Sequence, residues 1–311
     1  MEKLPIIAIV GPTASGKTGL AIDLAKKLDA EIISFDSMQI YKGMHVASAA
    51  PDEAEKQGVP HHLLEFLDPA DNFSVAEFIK LAKEKANMIA AKGKKVIIVG
   101  GTGLYINSFL DNIEFSKEEP DESLRAKLNR EFDALGGEEM LKKLSEFDKD
   151  SANRLHPNNK KRIIRAFEIY ISTGVTMTEQ IKNSKIYESP YKPYIIGLTY
   201  ENREKLYERI DKRVDLMLEN GLLFEAEKMF NSGNASTAVQ AIGHKEFFPY
   251  FKGEITLEEA AENLKRETRR YAKRQLTWFR RDERVNWIYR EKEQDVLLVA
   301  LQILERNGYF G

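Results

Sequence analysis

The chain opens with an apolar run that changes into a helical pattern. Residues 6–10 read as a buried strand, and apolar residues then recur at helical spacing from Leu20 to Leu28. Residues 31–35 and 95–99 are further apolar runs of strand length, and each is followed by turn residues. Short apolar runs that alternate with helical segments predict strand–helix–strand units, and therefore a parallel α/β sheet.

The strand signal disappears in the middle of the chain. Residues 120–147 are polar, charged and helical in their spacing, and residues 158–170 predict another helix that Gly174 ends. The strand signal returns at residues 194–198. We therefore expect a catalytic core over residues 1–115 and 190–311, and a helical insertion with its return helix over residues 116–189.

Two capping boxes mark helix starts. Residues 74–77 open a helix that we expect to end near Ala91, and residues 256–259 open one that we expect to end near Arg280. Glycines and prolines predict a loop between the second strand and the first of these helices. An amphipathic helix is predicted over residues 202–219, and a short strand and a last helix close the chain.

The first strand and the first helix are joined by Gly-Pro-Thr-Ala-Ser-Gly-Lys-Thr. The spacing G-x-x-x-x-G-K-[ST] between strand and helix is that of a phosphate-binding loop, whose N–H groups cradle phosphate. Lys17 is placed to reach the outer phosphate oxygens, and the Thr18 hydroxyl is placed to bind Mg²⁺. The candidate phosphate-binding residues are Gly11, Pro12, Thr13, Ala14, Ser15, Gly16, Lys17 and Thr18.

The composition is that of a globular protein with one strongly basic segment. Of 311 residues, 42% are hydrophobic and 31% are charged, and the absence of cysteine excludes disulfides and thiolate metal sites. With no signal-peptide pattern and no apolar run of membrane-spanning length, we expect a cytoplasmic protein without a membrane partner. The net charge is −2, but residues 261–290 carry ten Lys or Arg and four acidic residues, which favours a nucleic acid partner.

Two further candidates follow strand ends, where parallel sheets bind their ligands. Asp36 is suited to act as a general base or to bind Mg²⁺, although a carboxylate there also suits the cap of a turn. Gly100, Gly101 and Gly103 surround Thr102 after the third predicted strand, and they permit the close approach of a ligand. The same glycine pattern also occurs in ordinary tight turns.

Three sets of basic residues have two interpretations each. Arg209 and Arg213 are one helical turn apart, which suits phosphate, but the sequence favours a solvated face with Asp211 and Asp215 as partners. The other two sets are Lys160, Lys161, Arg162 and Arg165 after the insertion, and Arg266, Arg269, Arg270, Lys273 and Arg274 after the second capping box. Each of them either contacts phosphates or forms a solvated face. For the set after the capping box, which has few acidic neighbours, we favour contact with nucleic acid.

Seven motifs occur in order along nearly the whole chain. They are GPTASGKT (residues 11–18), DSMQIY (36–41), VPHHL (59–63), GGTGLY (100–105), RIIRAFE (162–168), QAIGHKE (240–246) and YAKRQLTWF (271–279). Together they make the chain resemble the bacterial tRNA dimethylallyltransferases. The resemblance implies a P-loop-kinase-like parallel sheet with helices on both faces, and a small, mobile, all-helical insertion domain.

The resemblance also implies a reaction. A dimethylallyl group would pass from dimethylallyl diphosphate to N6 of the adenine 3′ of the anticodon in tRNA, and diphosphate would be released. The phosphate loop and Mg²⁺ would hold the leaving diphosphate and stabilise its developing charge. By the same resemblance Asp36 matches the base for the N6 proton, and the candidate catalytic residues are Asp36, Thr18, Thr102 and Arg213.

The implied partner is the anticodon stem–loop of tRNA, gripped by shape and by phosphate contacts. The target adenine would have to be flipped out of its stack to be reached. We expect the protein to act as a monomer. The candidate tRNA contacts are Asp36, Ser37, Met38, Gln39, Thr102, Arg125, Lys161, Arg162, Arg165, Gln240, Ala241, Ile242, Gly243, His244, Lys245, Arg269, Lys273 and Arg274.

One segment departs from the family pattern. Residues 46–51 read Val-Ala-Ser-Ala-Ala-Pro where the family usually has Ile-Gly-Thr-Ala-Lys-Pro, so no role of that lysine is transferred. Three alternatives remain open. An ATP-dependent small-molecule kinase gives no reason for the basic helix, and an adenylate prenyltransferase acting on free nucleotide needs no tRNA-gripping insertion. A non-enzymatic tRNA-binding module leaves Lys17, Thr18 and Asp36 unexplained.

Overall fold

The computed structural model describes residues 2–71, 73–115, 121–184, 187–232, 238, 241–290 and 295–310. The chain divides into two compact units. The first unit is Met1–Leu110 with Ser189–Gly311, and the second is Asp111–Glu188.

A parallel sheet forms the centre of the first unit. Its strands are β1 (Leu4–Val10), β2 (Ala30–Ser34), β3 (His61–His62), β4 (Lys95–Gly100), β5 (Tyr191–Thr199) and β6 (Val285–Tyr289). Their order across the sheet is β3-β2-β4-β1-β5-β6, and each neighbouring pair runs parallel. The predicted parallel α/β fold is therefore confirmed, with β1 between β4 and β5.

The helices that the sequence predicts begin and end close to the expected positions, and further helices that it does not predict lie between them. In chain order the described helices are α1 (Lys17–Leu28), α2 (His45–Ser48), α3 (Glu53–Lys56), α4 (Val75–Ala91), α5 (Gly103–Leu110), α6 (Glu122–Ser145), α7 (Lys149–Arg154), α8 (Lys160–Thr173), α9 (Met177–Asn183), α10 (Arg203–Glu219), α11 (Leu222–Asn231), α12 (Phe248–Phe251), α13 (Leu257–Phe279) and α14 (Val296–Arg306). Both predicted capping boxes form, at Ser74 before α4 and at Thr256 before α13. None of these helices is long and apolar enough to cross a membrane.

Helices cover both faces of the sheet because successive strand residues point to opposite sides. On one face, Ile7 and Ile9 belong to a core cluster with residues of α1 and α14. On the other face, the ring of Phe35 lies 5.0 Å from that of Phe78 on α4 and 5.2 Å from that of Phe109 on α5. The sheet is therefore buried on both sides, as a parallel sheet of apolar strands requires.

The predicted loop after β2 was wrong in part, because the structure places α2, α3 and β3 there. The helix α3 starts at a capping box formed by Asp52 and Glu55. The strand β3 extends the sheet edge by pairing His61 with Ile32 and His62 with Ile33. Elements of two to four residues are too short to show a hydrophobic period, so the sequence pattern did not reveal them.

The second unit is helical in the residues described. Its core includes Leu128 and Leu144 of α6 with Ile163 and Phe167 of α8, so the predicted burial of the α8 residues is confirmed. The helix α6 is kinked at Gly136, where the backbone leaves helical geometry.

Candidate active site

A cavity of about 290 Å³ lies in the first unit. Residues that follow β1, β2 and β4 line one part of it, as expected for an open α/β sheet. Residues of α2, α10 and α13 line the rest. The polar lining includes Thr13, Lys17, Thr18, Asp36, Ser37, Gln39, Arg213, Thr268, Tyr271 and Gln275, and the apolar lining includes Ala47, Ala49, Val214, Met217, Ala241, Ile242 and Leu264.

Five of the apolar side chains that line the cavity pack together. Val214, Met217 and Leu264 are buried members of a single core cluster, against which Ala47 and Ile242 pack. The cavity therefore combines a cluster of charged groups with a wall of small and medium apolar side chains.

The phosphate loop brings Lys17 into this cavity. The Lys17 ammonium donates to the carbonyl oxygen of Pro12 over 2.6 Å. The pKa of Lys17 is lowered to about 7, chiefly by burial and also by the nearby Arg213 guanidinium, while Asp36 acts in the opposite direction. An anion bound beside Lys17 would make its ammonium group easier to charge.

Arg213 and Asp36 face the same space. Burial lowers the pKa of Arg213, while the Asp36 carboxylate acts against that shift. One Asp36 oxygen accepts a hydrogen bond from the backbone N–H of Met38 over 2.9 Å. Asp36 therefore caps the turn that follows β2 and also lines the cavity; its role as a base or Mg²⁺ ligand stays a prediction.

Thr102 lies beside the cavity and supports its lining. Its hydroxyl oxygen accepts a hydrogen bond from the N–H of Ser37 over 3.1 Å. Burial raises the pKa of Tyr271, which also lines the cavity, and the charge of Asp36 reinforces that shift. Thr102 thus connects the loop after β4 to the loop after β2.

Gln275 is buried on α13, and the sequence pattern did not identify it as a site residue. Its side-chain oxygen accepts the N–H of Thr13 over 2.8 Å, and its amide nitrogen donates to the carbonyl of Gly101 over 3.1 Å. A Cβ atom at Gly101 would collide with that amide nitrogen, which explains why glycine occupies the position. The signal that could have identified Gln275 is that it is a neutral polar residue within a strongly basic helix.

The predicted solvated pairing on α10 was wrong. Asp211 pairs with Arg269 of α13, with oxygen–nitrogen distances of 2.6 and 2.7 Å, and Asp215 lies 2.7 Å from the ammonium of Lys265. Arg213 lines the cavity instead. Because α10 packs beside α13, its acidic residues face the basic helix rather than their neighbours in sequence.

This pairing also changes the interpretation of the basic helix. Its positive charge is partly compensated by α10, and Arg269 is half-buried in its pair with Asp211. Lys273 and Arg274 are exposed, so they remain the stronger candidates for tRNA contact. Tyr271 lines the cavity and Phe279 is buried in the core.

The segment that departs from the family pattern is fixed by a buried carboxylate. The two Glu225 oxygens accept the N–H groups of Val46 and Ala47 over 2.8 and 2.9 Å. The Nε2 atom of His244 donates to the same carboxylate over 2.8 Å. The other end of α2 is held by Gln39, whose amide nitrogen lies 3.3 and 3.1 Å from the carbonyl oxygens of Ser48 and Ala49.

His244 is completely buried, so a direct contact of its side chain with tRNA was a wrong expectation. Among its neighbours, Ala241 and Ile242 line the cavity, Gly243 is buried and Lys245 is exposed. The predicted contact Gln240 lies outside the described residues. Ser37, Met38 and Gln39 line the cavity, so a base that enters it can reach them.

The candidates in the second unit are of two kinds. Lys161 and Arg162 are exposed. Arg125 makes two hydrogen bonds to the buried Glu168, over 2.6 and 3.1 Å, and Arg165 lies 3.4 Å from the same carboxylate. Arg125 therefore has a structural partner that the sequence did not predict.

A known family and several curated relatives match most of this chain. A family model described as IPP transferase matches residues 39–282. A tRNA dimethylallyltransferase of Acetivibrio thermocellus is 49% identical over 289 residues, which cover 92% of both chains. A tRNA dimethylallyltransferase of Bacillus subtilis is 48% identical over 286 residues, which cover 92% of this chain and 90% of the relative.

Solved structures resemble the chain over almost its full length. The full-length tRNA isopentenylpyrophosphate transferase of Bacillus halodurans has a TM-score of 0.73 and 42% identity, covering 99% of this chain and 96% of that chain. A eukaryotic dimethylallyltransferase acting on tRNA has a TM-score of 0.81 and 29% identity, covering 98% of this chain and 79% of that chain. From its sequence, its fold and its relatives, the chain belongs to the IPP transferase family.

Proposed function

We propose that this chain transfers a dimethylallyl group from dimethylallyl diphosphate to N6 of the adenine 3′ of the anticodon in tRNA. One observation carries the proposal beyond family membership. The cavity sets Lys17 and Arg213 at the phosphate loop beside an apolar wall that includes Val214, Met217 and Leu264. A diphosphate with a short branched hydrocarbon tail matches both parts.

The two cations have a direct role in this reaction. When the bond between C1 of the allyl group and the diphosphate oxygen breaks, its electron pair leaves with the diphosphate. Lys17, Arg213 and the first N–H groups of α1 are then available to stabilise the added negative charge. This stabilisation is stronger in a partly buried site than in water.

Mg²⁺ fits the chemistry of this lining, as a partner of the diphosphate rather than as an independent site. The lining offers the Thr18 hydroxyl and the Asp36 carboxylate, and no cluster of three or more His, Cys, Asp or Glu side chains occurs in the described part of the chain. Mg²⁺ usually takes one or two protein ligands together with phosphate oxygens and water. Bound there, it would supply further charge neutralisation to the leaving group.

Asp36 is the proposed base. As the N6–C1 bond forms, the N6 proton has to leave, and the Asp36 carboxylate is an acceptor in the cavity lining. The adenine reaches this carboxylate only when it is flipped out of the anticodon loop, because the loop as a whole is larger than the cavity. Thr102, through its bond to Ser37, holds the turn that carries Asp36.

The apolar wall also separates this proposal from its alternatives. A small-molecule kinase transfers a phosphoryl group and has no use for that wall beside its phosphate loop. An adenylate prenyltransferase shares the wall but does not need the exposed cations Lys245, Lys273 and Arg274, which suit phosphates of a polynucleotide.

Labelled dimethylallyl diphosphate supplied with tRNA, AMP or ATP in turn distinguishes them. We expect label on tRNA, and nuclease digestion should locate it at the adenine 3′ of the anticodon. Under the same assay conditions and reaction time, Asp36→Asn should give no detectable label. Label on AMP alone would overturn the proposal.

A further inference from the structure

Two arginines from distant parts of the chain contact the back of the phosphate loop. The Nε atom of Arg209, on α10, donates to the carbonyl oxygen of Ala14 over 3.2 Å. The Nη1 atom of Arg290, just after β6, donates to the carbonyl oxygen of Ser15 over 3.2 Å. Consecutive carbonyls of the loop therefore each have a guanidinium partner.

The same two guanidinium groups lie over one aromatic ring. Their Cζ atoms are 5.7 Å (Arg209) and 5.9 Å (Arg290) from the ring centroid of Tyr200. Both contacts are within the range of a cation–π interaction. Tyr200 thus gives the two arginines a shared support, which limits the positions that their side chains adopt.

The backbone of the loop needs such support. Ala14 has a φ of 61°, in the left-handed region that a residue with a Cβ atom occupies at a cost of about 1 kcal/mol. The first N–H groups of α1, which starts at Lys17 within this loop, have no acceptor within the helix, and phosphate loops use such groups to bind anions. Hydrogen bonds that hold the carbonyls of Ala14 and Ser15 therefore favour the conformation that binds a diphosphate.

We propose that Arg209 and Arg290 are positioning residues for diphosphate binding. They touch neither the diphosphate nor the prenyl group. They fix the backbone of Ala14 and Ser15 from behind, and their two charges raise the positive potential at the loop. The inference deepens the proposed function and rests on it for the identity of the donor, but anion binding by the loop tests it without any transfer.

The structure also ranks the two residues. Arg290 is half-buried, and its guanidinium lies against the backbone of Gly16, where a Cβ atom would collide with it. Arg209 is exposed, so water competes for its hydrogen bond and screens its charge. Removal of Arg290 should therefore weaken diphosphate binding more than removal of Arg209.

The experiment measures the Kd of Mg²⁺-pyrophosphate by calorimetry and the KM values of both substrates. We expect Arg290→Ala to raise the pyrophosphate Kd and the KM of dimethylallyl diphosphate about tenfold, which corresponds to the loss of one charged hydrogen bond. Arg209→Ala should raise both constants only about threefold, because water competes for the hydrogen bond of this exposed residue. Arg290→Lys, which keeps the charge, should recover part of the loss. The Kd of tRNA should stay unchanged, and Arg203→Ala, an exposed arginine on the same helix as Arg209, is the matched control.

Two results would overturn the inference. One is unchanged pyrophosphate binding in Arg209→Ala and Arg290→Lys, which alter the contacts without opening a large gap. The other is an equal rise in the KM of tRNA and of the diphosphate, which indicates a general structural defect. Failure of the proposed function has a different signature, since the wild-type chain would then bind pyrophosphate without prenylating tRNA.

Discussion

The side chain of Gln275 accepts a hydrogen bond from the N–H of Thr13 over 2.8 Å, although the two residues are separated by 262 positions in the chain. The same side chain donates to Gly101. One buried amide therefore joins the phosphate loop, the loop after β4 and the helix α13. Because the outer side of α13 carries exposed cations, this helix connects the surface proposed for tRNA to the cradle proposed for diphosphate.

Replacement of Gln275 should cost both stability and donor binding. Gln275→Ala leaves the buried N–H of Thr13 and the carbonyl of Gly101 without their partner, which costs about 2 kcal/mol in the free energy of unfolding. The KM of dimethylallyl diphosphate should rise, because the loop loses a fixed point. Urea unfolding and steady-state kinetics check both effects. Thr277→Ala, at an exposed position of the same helix, should change neither.

Diphosphate binding should take up a proton through Lys17. The pKa of Lys17 is about 7, and a bound anion would raise it because the charged form gains a partner. At pH values above 7, binding therefore adds a proton to Lys17, and affinity falls as the pH rises. Calorimetry at pH 8 in two buffers of different ionisation enthalpy measures the uptake.

The matched variant for this experiment is Lys17→Arg. Its guanidinium stays charged throughout the range, so it removes the uptake due to residue 17 and leaves that of pyrophosphate itself. Equal proton uptake by the wild type and Lys17→Arg would contradict the prediction.

Asp36→Asn should separate turnover from binding. The amide retains an oxygen that can accept the N–H of Met38, so the turn after β2 is preserved. It cannot take the N6 proton, and the loss of a general base lowers turnover on the order of 10² to 10⁴-fold. Single-turnover kinetics with saturating tRNA measure the step, and filter binding should show tRNA affinity within about twofold of the wild type. A decrease in tRNA affinity with normal single-turnover rate would exclude Asp36 as the base.

The exposed cations Lys273 and Arg274 of α13 should contribute more to tRNA binding than Arg269, which is paired with Asp211. Lys273→Ala and Arg274→Ala should each weaken tRNA binding and reduce the slope of log Kd against log salt by about one. Arg269→Ala should instead lower the free energy of unfolding, since it leaves the Asp211 carboxylate unpaired, with a smaller change in slope. Titrations at several salt concentrations test the comparison. Identical slopes for all three variants would mean that pairing within the protein does not decide which cations meet tRNA.

Glu225 should stabilise the cavity wall through α2. Glu225→Ala removes the acceptor for Val46, Ala47 and His244, which costs about 3 kcal/mol in the free energy of unfolding. It should also raise the KM of dimethylallyl diphosphate, because Ala47 and Ala49 line the cavity. Glu227→Ala, two positions further along the same helix and exposed, is the control in urea unfolding. Equal stability of the two variants would refute the role of Glu225.

The parts of the molecule that local sequence determines were predictable. The phosphate loop, the strand ends that carry Asp36 and Thr102, and the capping boxes at Ser74 and Thr256 each depend on residues within a few positions of one another. The positions of the phosphate loop, Asp36 and Thr102 in the fold follow from the rule that parallel strands present ligands at their carboxyl ends.

The contacts that depend on packing were not predictable. Asp211 pairs with Arg269 rather than with a neighbour on its own helix, because α10 and α13 lie side by side. His244 belongs to a motif expected to contact tRNA, yet burial gives it Glu225 as its partner. A linear pattern shows the period of a helix but does not identify the helix that packs against it.

The position of β1 at the middle of the sheet has a consequence for synthesis of the chain. β1 pairs with β4 on one side and with β5 on the other, and Leu4 is in register with Tyr191. During synthesis, one edge of β1 therefore stays unpaired until β5, which begins at Tyr191, has left the ribosome. An apolar edge that stays open this long is prone to aggregate, so fragments that end before Tyr191 should be insoluble.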